Sequence, residues 1–325
     1  MYRSAKVMAV VVVAVLGFVG CGPAVDDGSG GDVGQVTGEA KAVNPTGKNI
    51  GTLLNTSRHD RSKIAYHNGP VLTGPQNLYF IWYGNWAGDS GTQNILGELA
   101  ATLGNTPYMQ INSRYTDGSG RPASAGMVYA GGVTDSTYAH GSSLSDADIV
   151  AVISDQILSF ALPQDPQGIY VVVASADVTA TSGFCSSYCG QHNSALVNGG
   201  QLRYVFLGHA NRCLSACAPQ TLSPNGNAAA DGMASTLAGE LSDTVTDPAL
   251  TSWYDRDGFE NADKCAWTFG TTYAAANGAQ ANIHLGTRDF LLQRNFWPTS
   301  RGGVCVMNQT QALAAISNGD DILSF

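Results

Sequence analysis

The sequence predicts a mixed α/β fold, in which a mixed sheet and its helices form a single disulfide-bonded domain. Apolar runs of strand length alternate along the chain with longer stretches whose apolar residues recur at helical spacing. The 325 residues are 44% hydrophobic, which is enough for one large core. Beyond the N-terminal segment there are six cysteines, and an even number is typical of a disulfide framework.

Four segments have the composition of buried strands, because they are rich in β-branched and aromatic residues and are bounded by Gly or Pro. In chain order they are NLYFIWYG (77–84), AGMVYAGGV (125–133), GIYVVVASADV (168–178) and QLRYVFLGHA (201–210). We expect the third of these strands to lie in the centre of the sheet.

Helices are predicted where apolar residues recur every three or four positions. The segment 89–106 has Ser90 as a candidate cap, and the segment 143–162 opens with a capping Ser. The segment 227–247 places Met233, Leu237, Leu241 and Val245 four residues apart, which predicts one apolar stripe. Beyond Pro248 we expect loops and a short helix near 309–317.

The N-terminus has the features of an export signal. Arg3 and Lys6 precede the apolar run VMAVVVVAVLGFVG, which is too short to span a membrane comfortably. The run ends in FVGC, which resembles a bacterial lipoprotein lipobox with Cys21 as the acylated residue. We therefore expect residues 1–20 to be a lipoprotein signal peptide and the chain to be lipid-anchored at the cell envelope, in the outer membrane if the cell is Gram-negative. An ordinary signal peptide, with an extracellular protein, is the alternative.

Residues 21–48 are rich in Gly and Asp and contain no aromatic residue, so we expect a disordered tether. The folded domain is then 49–325. The net charge is -9, and no cluster of Lys or Arg is visible, which excludes nucleic acid as an expected partner. The remaining partners are the membrane, through the N-terminal lipid, and a cell-wall or glycan ligand.

Two of the cysteine pairs have C-x-x-x-C spacing, in CSSYC and CLSAC. Export favours their oxidation over a zinc site. The local pairing Cys185–Cys189 and Cys213–Cys217 leaves Cys265–Cys305 as the third bridge. Pairing between the two loops is the alternative, since sequence does not fix connectivity.

The segment GELSDTVTDP raises the question of catalysis. With His in place of Gly239 it would have the frame of a zinc hydrolase, in which ligands at i and i+4 face one metal and Glu240 is the general base. Gly239 offers no ligand, so the first interpretation is that Glu240 and Asp243 are solvated or hydrogen-bonding residues of a structural helix. The alternative is an altered metal site that uses Asp243, Asp247 or Glu260 together with His192.

The acidic segment DRDGFENAD (255–263) is rich in oxygen ligands, but it lacks the spacing of an EF-hand loop. A capped turn is therefore favoured over a calcium site. No bound cofactor is expected, with zinc and calcium kept as the two ions to test.

Several of these motifs occur together in one known family. In order along the chain, YHNGPVL, NLYFIWYGNW, FCSSYCGQH, YVFLGHANRCLSACA, SPNGNAAADGMASTLAGELSDTVTDP and WYDRDGFENADKCAWTFG resemble the EXORDIUM-like, or phosphate-induced protein, family. The resemblance covers roughly residues 64–307 and implies a secreted, disulfide-bonded, single-domain protein. Some microbial members carry H-E-L-x-E ahead of T-D-P, which implies a zincin-like arrangement, whereas plant members lack both the His and the Glu.

Three function classes follow. The first is a non-catalytic, lipid-anchored envelope protein that binds a wall or surface component. The second is an altered or degenerate zincin-like metallohydrolase, in which Glu240 is catalytic. The third is a glycan-binding surface lipoprotein, for which five Trp and thirteen Tyr supply candidate contacts.

Overall fold

The computed structural model describes residues 63–319. The signal peptide, the tether and Cys21 lie outside the described residues and stay predictions. Within 63–319, no helix is long and apolar enough to cross a membrane.

The strands, in chain order, are β1 (Ala65–Tyr66), β2 (Gln76–Tyr83), β3 (Met127–Asp135), β4 (Ser143–Leu144), β5 (Gly168–Ala174), β6 (Thr179–Ala180), β7 (Gly190–Val197), β8 (Gly200–Leu207), β9 (Trp253–Tyr254), β10 (Tyr273–Ala274), β11 (Gln280–Ala281), β12 (Ile283–Leu285), β13 (Arg288–Phe290), β14 (Asn295–Pro298) and β15 (Gly303–Val306).

Within residues 63–319, five α-helices accompany the strands, together with short 3-10 turns at Met109–Arg114, Ala210–Arg212 and Asp263–Cys265. The mixed α/β fold that the sequence predicts is confirmed. The helices are α1 (Ser90–Thr102), α2 (Asp146–Leu158), α3 (Leu214–Cys217), α4 (Ala228–Thr246) and α5 (Gln309–Ser317).

The central sheet has five strands in the order β3-β2-β5-β8-β7. Neighbouring strands are parallel from β3 to β8, and β7 pairs antiparallel with β8 at the edge. The strand at 168–174 is central, as predicted. The strand β7 is not among the predicted elements, although it carries His192.

Both faces of the sheet are covered, because successive side chains of each strand point to opposite sides. In β2, Leu78 and Phe80 pack in the same cluster as α1 and α4, whereas Tyr79 and Ile81 pack in the cluster that contains α2. The sheet therefore lies between a layer formed by α1 and α4 and a layer formed by α2.

The helix boundaries differ from prediction by a few residues. Asp89, rather than Ser90, caps α1 through a hydrogen bond from the Thr92 N–H. Ser145 caps α2 and forms a capping box with Asp148, so this helix begins at 146, later than expected. The residues before it form the short strand β4 instead.

Helix α4 is buried on all sides rather than along one stripe, so that prediction is wrong. Every residue from Ala229 to Thr246 is buried. The start of β14 and the residues before it cover another side of α4, where the Gln293 N–H donates to Ser235 and the Asn295 side chain donates to Ser242. Polar side chains are tolerated in this helix because neighbouring segments, or the preceding turn, satisfy them.

The two local disulfides predicted from spacing are wrong. The structure pairs Cys185 with Cys213 and Cys189 with Cys217, and it confirms the bridge between Cys265 and Cys305. The physical reason is that two residues four apart on a helical turn face the same way. Cys213 caps α3 and Cys217 is its last residue, and both meet the facing loop, whose cysteines have the same spacing. Each crossed bridge spans 28 residues.

Candidate functional site

The C-terminal half of α4 carries three acidic side chains. Glu240 and Asp243 lie one turn apart on the same side of the helix, and Asp247 is the residue at which the helix ends. The three residues are 2%, 1% and 0% exposed, respectively. Glu240 and Asp243 are therefore not solvated, and they belong to a buried polar cluster.

Strand β7 brings His192 to this helix. The Nδ1 atom of His192 lies 3.4 Å from Oε2 of Glu240. The Nε2 atom lies 3.2 Å from the backbone oxygen of Asp247 and 3.4 Å from Oε1 of Glu260. The altered-site interpretation names Asp243, Asp247 and Glu260, and His192 contacts the side chain of Glu260 and the backbone of Asp247. Asp243 lies one turn along α4 from Glu240.

Gly190 explains how β7 comes so close to α4. A Cβ atom at this position would lie 2.7 Å from Cγ2 of Thr236 and 3.3 Å from Cγ of Glu240. Since His192 is two residues further along the strand, it points toward the same helix. The absence of a side chain at Gly190 therefore permits the contact between His192 and Glu240.

The neighbouring acidic residues shift the pKa of His192. Burial by itself lowers the pKa of His192, but the nearby carboxylates of Glu260 and Glu240 outweigh burial and hold this pKa well above the usual value. Burial raises the pKa of Glu260 well above its usual value; the charge of His192 opposes this shift, whereas Asp243 and Asp247 add to it. The pKa values of His192 and Glu260 are thus each set by burial and by the charge of the other group.

The segment after α4 folds back against the cluster. Oδ1 of Asp247 accepts hydrogen bonds of 2.7 Å from the N–H groups of Thr251 and Ser252. Ser252 in turn donates its hydroxyl to the backbone oxygen of Pro70. Asp247 therefore fixes the turn that leads the chain from α4 into the acidic segment 255–263.

The acidic segment is a capped turn, which is the interpretation that its spacing favours. Oδ1 of Asp255 accepts from the N–H groups of Asp257 and Phe259, at 2.9 and 3.0 Å. Oδ2 of Asp255 lies 2.7 Å from Nζ of Lys264, and neither side chain is exposed. The turn directs Glu260 toward His192.

The end of this segment meets α4 again at Asp243, whose Oδ1 accepts a 2.5 Å hydrogen bond from the Ala262 N–H. Carboxylate oxygens of Asp243, Glu260 and Asp263 all lie within 4.8 Å of one another. Asp263 is half-buried and brings this group toward the surface. Of the three, Asp263 is not among the residues that the sequence nominates.

The residues present do not fit the zinc site of a zincin. The position of the first ligand is Gly239, and both ring nitrogens of His192 face protein oxygens, those of Glu240 on one side and of Asp247 and Glu260 on the other. The close carboxylate group offers oxygen ligands alone, whereas zinc sites in proteins rely on His or Cys. We therefore derive no reaction through zinc.

Comparison with known proteins assigns this chain to a family. The family model described as "Phosphate-induced protein 1 conserved region" matches residues 64–288. The chain belongs to this family. The match includes every residue of the buried cluster, and it ends before Cys305, which closes the third disulfide.

Among the curated relatives of this phosphate-induced protein family member are plant proteins. Protein EXORDIUM-like 5 of Arabidopsis thaliana is 32% identical over 216 residues, which is 59% of this chain and 59% of the relative. Protein EXORDIUM-like 3 of Arabidopsis thaliana is 28% identical over 69% of this chain and 75% of the relative. Protein PHOSPHATE-INDUCED 1 of Nicotiana tabacum is 25% identical over 73% of this chain and 86% of the relative. No solved structure matches the chain.

The signal that predicts β7 in this family member is the turn that follows it. Asn198 and Gly199 both have positive φ, at 49° and 77°, as the two central residues of a tight hairpin require. The dipeptide Asn-Gly between apolar residues is a hairpin signal, and it would have placed His192 on an edge strand. Asp263 could have been found by noting that its carboxylate follows Glu260 within the same acidic segment.

Proposed function

We propose that this protein is an exported, lipid-anchored and non-catalytic protein of the cell envelope, which binds a wall or surface component through its folded domain. The observation that carries the non-catalytic part is the contact between Glu240 and His192. A general base in a zinc hydrolase must face a metal-bound water. Here Glu240 faces an imidazole at 3.4 Å, and it is 2% exposed. A substrate has no access to its carboxylate.

Export is supported by the disulfides, because six cysteines paired in three bridges are typical of chains that fold in an oxidising compartment.

Lipid anchoring rests on the FVGC sequence that ends at Cys21. Metabolic labelling with a fatty acid tests it, with a Cys21→Ala variant as the control. We expect label on the native chain and none on the variant. An unlabelled native chain recovered from the medium would contradict anchoring.

A peptidase assay tests the absence of catalysis. The purified protein and its Glu240→Gln variant are incubated with a peptide library, and the products are read by mass spectrometry. We expect no cleavage by either protein. Cleavage by the native protein that the Glu240→Gln variant lacks would establish the alternative, an altered metallohydrolase.

A glycan ligand is favoured by a group of aromatic side chains outside the core. The imidazole of His67 stacks on the ring of Tyr254, with centroids 3.7 Å apart. Tyr66 and Trp253 lie beside them, with centroids 5.4 Å apart, and all four residues are half-buried or exposed. Trp82, Trp86 and Trp297 pack in the core instead. Flat aromatic faces at a surface are suited to contact the apolar faces of sugar rings.

Binding to isolated cell-wall polysaccharide tests this second candidate. The variant Tyr254→Ala removes one half-buried ring of this group, and Tyr273→Ala removes a ring that is 42% exposed elsewhere. We expect Tyr254→Ala to weaken retention on the polysaccharide and Tyr273→Ala to leave it unchanged. Equal retention of both variants would exclude the aromatic group as the binding surface.

A further inference from the structure

The two crossed disulfides differ in how far the solvent can reach them. Cys185 and Cys213 are both half-buried, and Ser186, next to Cys185, is exposed. Cys189 and Cys217 are only 4% and 1% exposed, respectively. Thiol–disulfide exchange begins when a thiolate reaches one of the two sulfur atoms, so exposed bridges exchange more readily than buried ones. An external thiol therefore meets the Cys185–Cys213 bridge first.

The backbone at Cys185 sets the same bridge apart by a separate observation. Among the six bridged cysteines, which all lie within residues 63–319, Cys185 alone has a positive φ, at 70°. This left-handed region is unfavourable for any residue that has a Cβ atom. Bridges that close on a strained backbone are more easily opened than relaxed ones. Exposure and backbone conformation thus both favour exchange at Cys185–Cys213.

The two crossed bridges also touch each other. Sγ of Cys213 lies 3.4 Å from Sγ of Cys217. A disulfide bond is about 2.0 Å long, so these two atoms need to approach by about 1.4 Å to become bonded. Cys213 caps α3 from outside the helical region, at φ -152° and ψ 55°, so the helix does not fix the direction of its side chain. Cys213 is therefore the residue through which a change at the exposed bridge can reach the buried one.

We propose that the Cys185–Cys213 bridge is a site of thiol–disulfide exchange with small thiols, and that Cys213 passes the exchange on to Cys189–Cys217. In the first step, an external thiolate attacks Sγ of Cys185. A mixed disulfide forms there, the Cys185–Cys213 bond breaks, and Cys213 leaves as a thiolate. In the second step, the Cys213 thiolate attacks Sγ of Cys217. A Cys213–Cys217 bond forms, the Cys189–Cys217 bond breaks, and Cys189 leaves as a thiolate.

The exchange changes which parts of the fold are covalently joined. Each step replaces one disulfide bond by another, so no oxidant or reductant is consumed beyond the attacking thiol. Cys189 directly precedes β7, whereas Cys217 packs through its backbone against Gly232 of α4. A Cys213–Cys217 bridge lies within one turn of the chain, so it does not tie β7 to α3. This exchange depends neither on lipid anchoring nor on binding to a wall component.

A pair of matched variants tests the step through Cys213. Cys185→Ser and Cys213→Ser remove the same bridge, but only the first leaves a thiol at Cys213, in contact with Cys217. Both are made in the full chain with Cys21→Ala, because the seventh cysteine would otherwise compete. The folded proteins are held at mildly alkaline pH, where thiols ionise, and are then quenched with acid and mapped without reduction.

The two variants should differ in the fate of the buried bridge. We expect a fraction of Cys185→Ser to contain Cys213 linked to Cys217, with Cys189 free. All of Cys213→Ser should keep Cys189 linked to Cys217. An intact Cys189–Cys217 bridge in every molecule of both variants would overturn the proposal. Equal rearrangement in the two variants would also overturn it, because the loss of a bridge, rather than the contact made by Cys213, would then be the cause.

A measurement on the chain with all three bridges covers the case in which these variants do not fold. The Cys21→Ala chain is incubated with a limiting amount of reduced glutathione, quenched with acid, alkylated and mapped. We expect glutathione on Cys185, a Cys213–Cys217 link and an alkylated Cys189. The buried third bridge should stay closed and is the internal control. Absence of glutathione from Cys185, equally fast opening of the third bridge, or an alkylated Cys213 beside an intact Cys189–Cys217 bridge would contradict the proposal.

Discussion

The imidazole of His192 and the carboxylate of Glu240 lie 3.4 Å apart, although 48 residues separate them along the chain. The contact joins the edge strand of the sheet to the helix buried beneath it. It also puts a basic side chain where a zinc hydrolase would hold a metal-bound water. The acidic residues of the helix therefore contact neighbouring segments of the fold, as Glu240 does with His192 and Asp243 with the Ala262 N–H.

Removal of His192 should strongly destabilise the fold. In His192→Ala, Glu240 and Glu260 lose the basic group that lies between them, and loss of one partner from a buried charged pair costs about 3–5 kcal/mol. The free energy of unfolding, measured by urea denaturation, should fall by that amount. His140→Ala is the control, because His140 contacts the half-exposed Asp155 and such pairs contribute at most about 1 kcal/mol. Equal losses in the two variants would show that His192 has no special role.

Peptide mapping under non-reducing conditions should recover Cys185 linked to Cys213 and Cys189 linked to Cys217. The expectation for stability follows from the 28 residues that each bridge spans. Loop entropy gives at most about 3–4 kcal/mol for one such bridge, and the two contributions are not additive because they constrain nearly the same loop. The variant Cys185→Ala/Cys213→Ala should lower the free energy of unfolding by no more than this value. Recovery of Cys185 linked to Cys189 would contradict the structure.

A methyl group at Gly190 should separate β7 from α4. The added Cβ of Gly190→Ala meets Thr236 at 2.7 Å, and overpacking of this kind costs about 1–3 kcal/mol. Gly97→Ala is the matched control, since Gly97 lies within α1 and a Cβ there meets nothing within 4 Å. That change should stabilise the protein by about 0.5–1 kcal/mol through helix propensity. If thermal unfolding shows the same shift for both variants, close packing at Gly190 is refuted.

The variant Gly239→His restores the missing ligand of the zincin frame, yet we expect it to bind no zinc. Gly239 is buried inside a helix that has no exposed side, so an imidazole should overpack the core. Asp243, the second position of the frame, is already engaged by the Ala262 N–H. Elemental analysis of the purified variant checks this expectation. One zinc per chain would show that the frame is still competent.

Four of the five strands of the central sheet are predictable from sequence, because runs such as YFIWY and IYVVV are buried on both faces. Strand β7 escapes prediction because Gln191, Asn193 and Ser194 make it polar and because it directly follows the cysteine-rich loop. The burial of α4 on all sides is also hidden, since its cover comes from the segment near Gln293, more than 50 residues further along the chain.

The acidic residues of α4 could be predicted as a group, whereas the residues that contact them from other segments could not. The spacing of Glu240, Asp243 and Asp247 places them together on or beside one helix by geometry alone. His192 and Glu260 could be nominated by residue type, but their approach depends on the hairpin and on the capped turn at Asp255. Disulfide connectivity is a tertiary property, which is why two C-x-x-x-C motifs suggested the wrong local bridges.

From the crossed disulfides we expect a particular order of events in the maturation of this protein. Cys189 directly precedes β7, and its partner Cys217 packs through its backbone against Gly232 of α4. The bridge therefore ties the strand that carries His192 to α3, which packs against the helix that carries Glu240, and a bridge of this kind forms in an oxidising compartment. We expect the chain to leave the cytoplasm before its acidic residues are gathered in the interior. We then expect formation of the Cys189–Cys217 bridge after export to hold the closed arrangement in place.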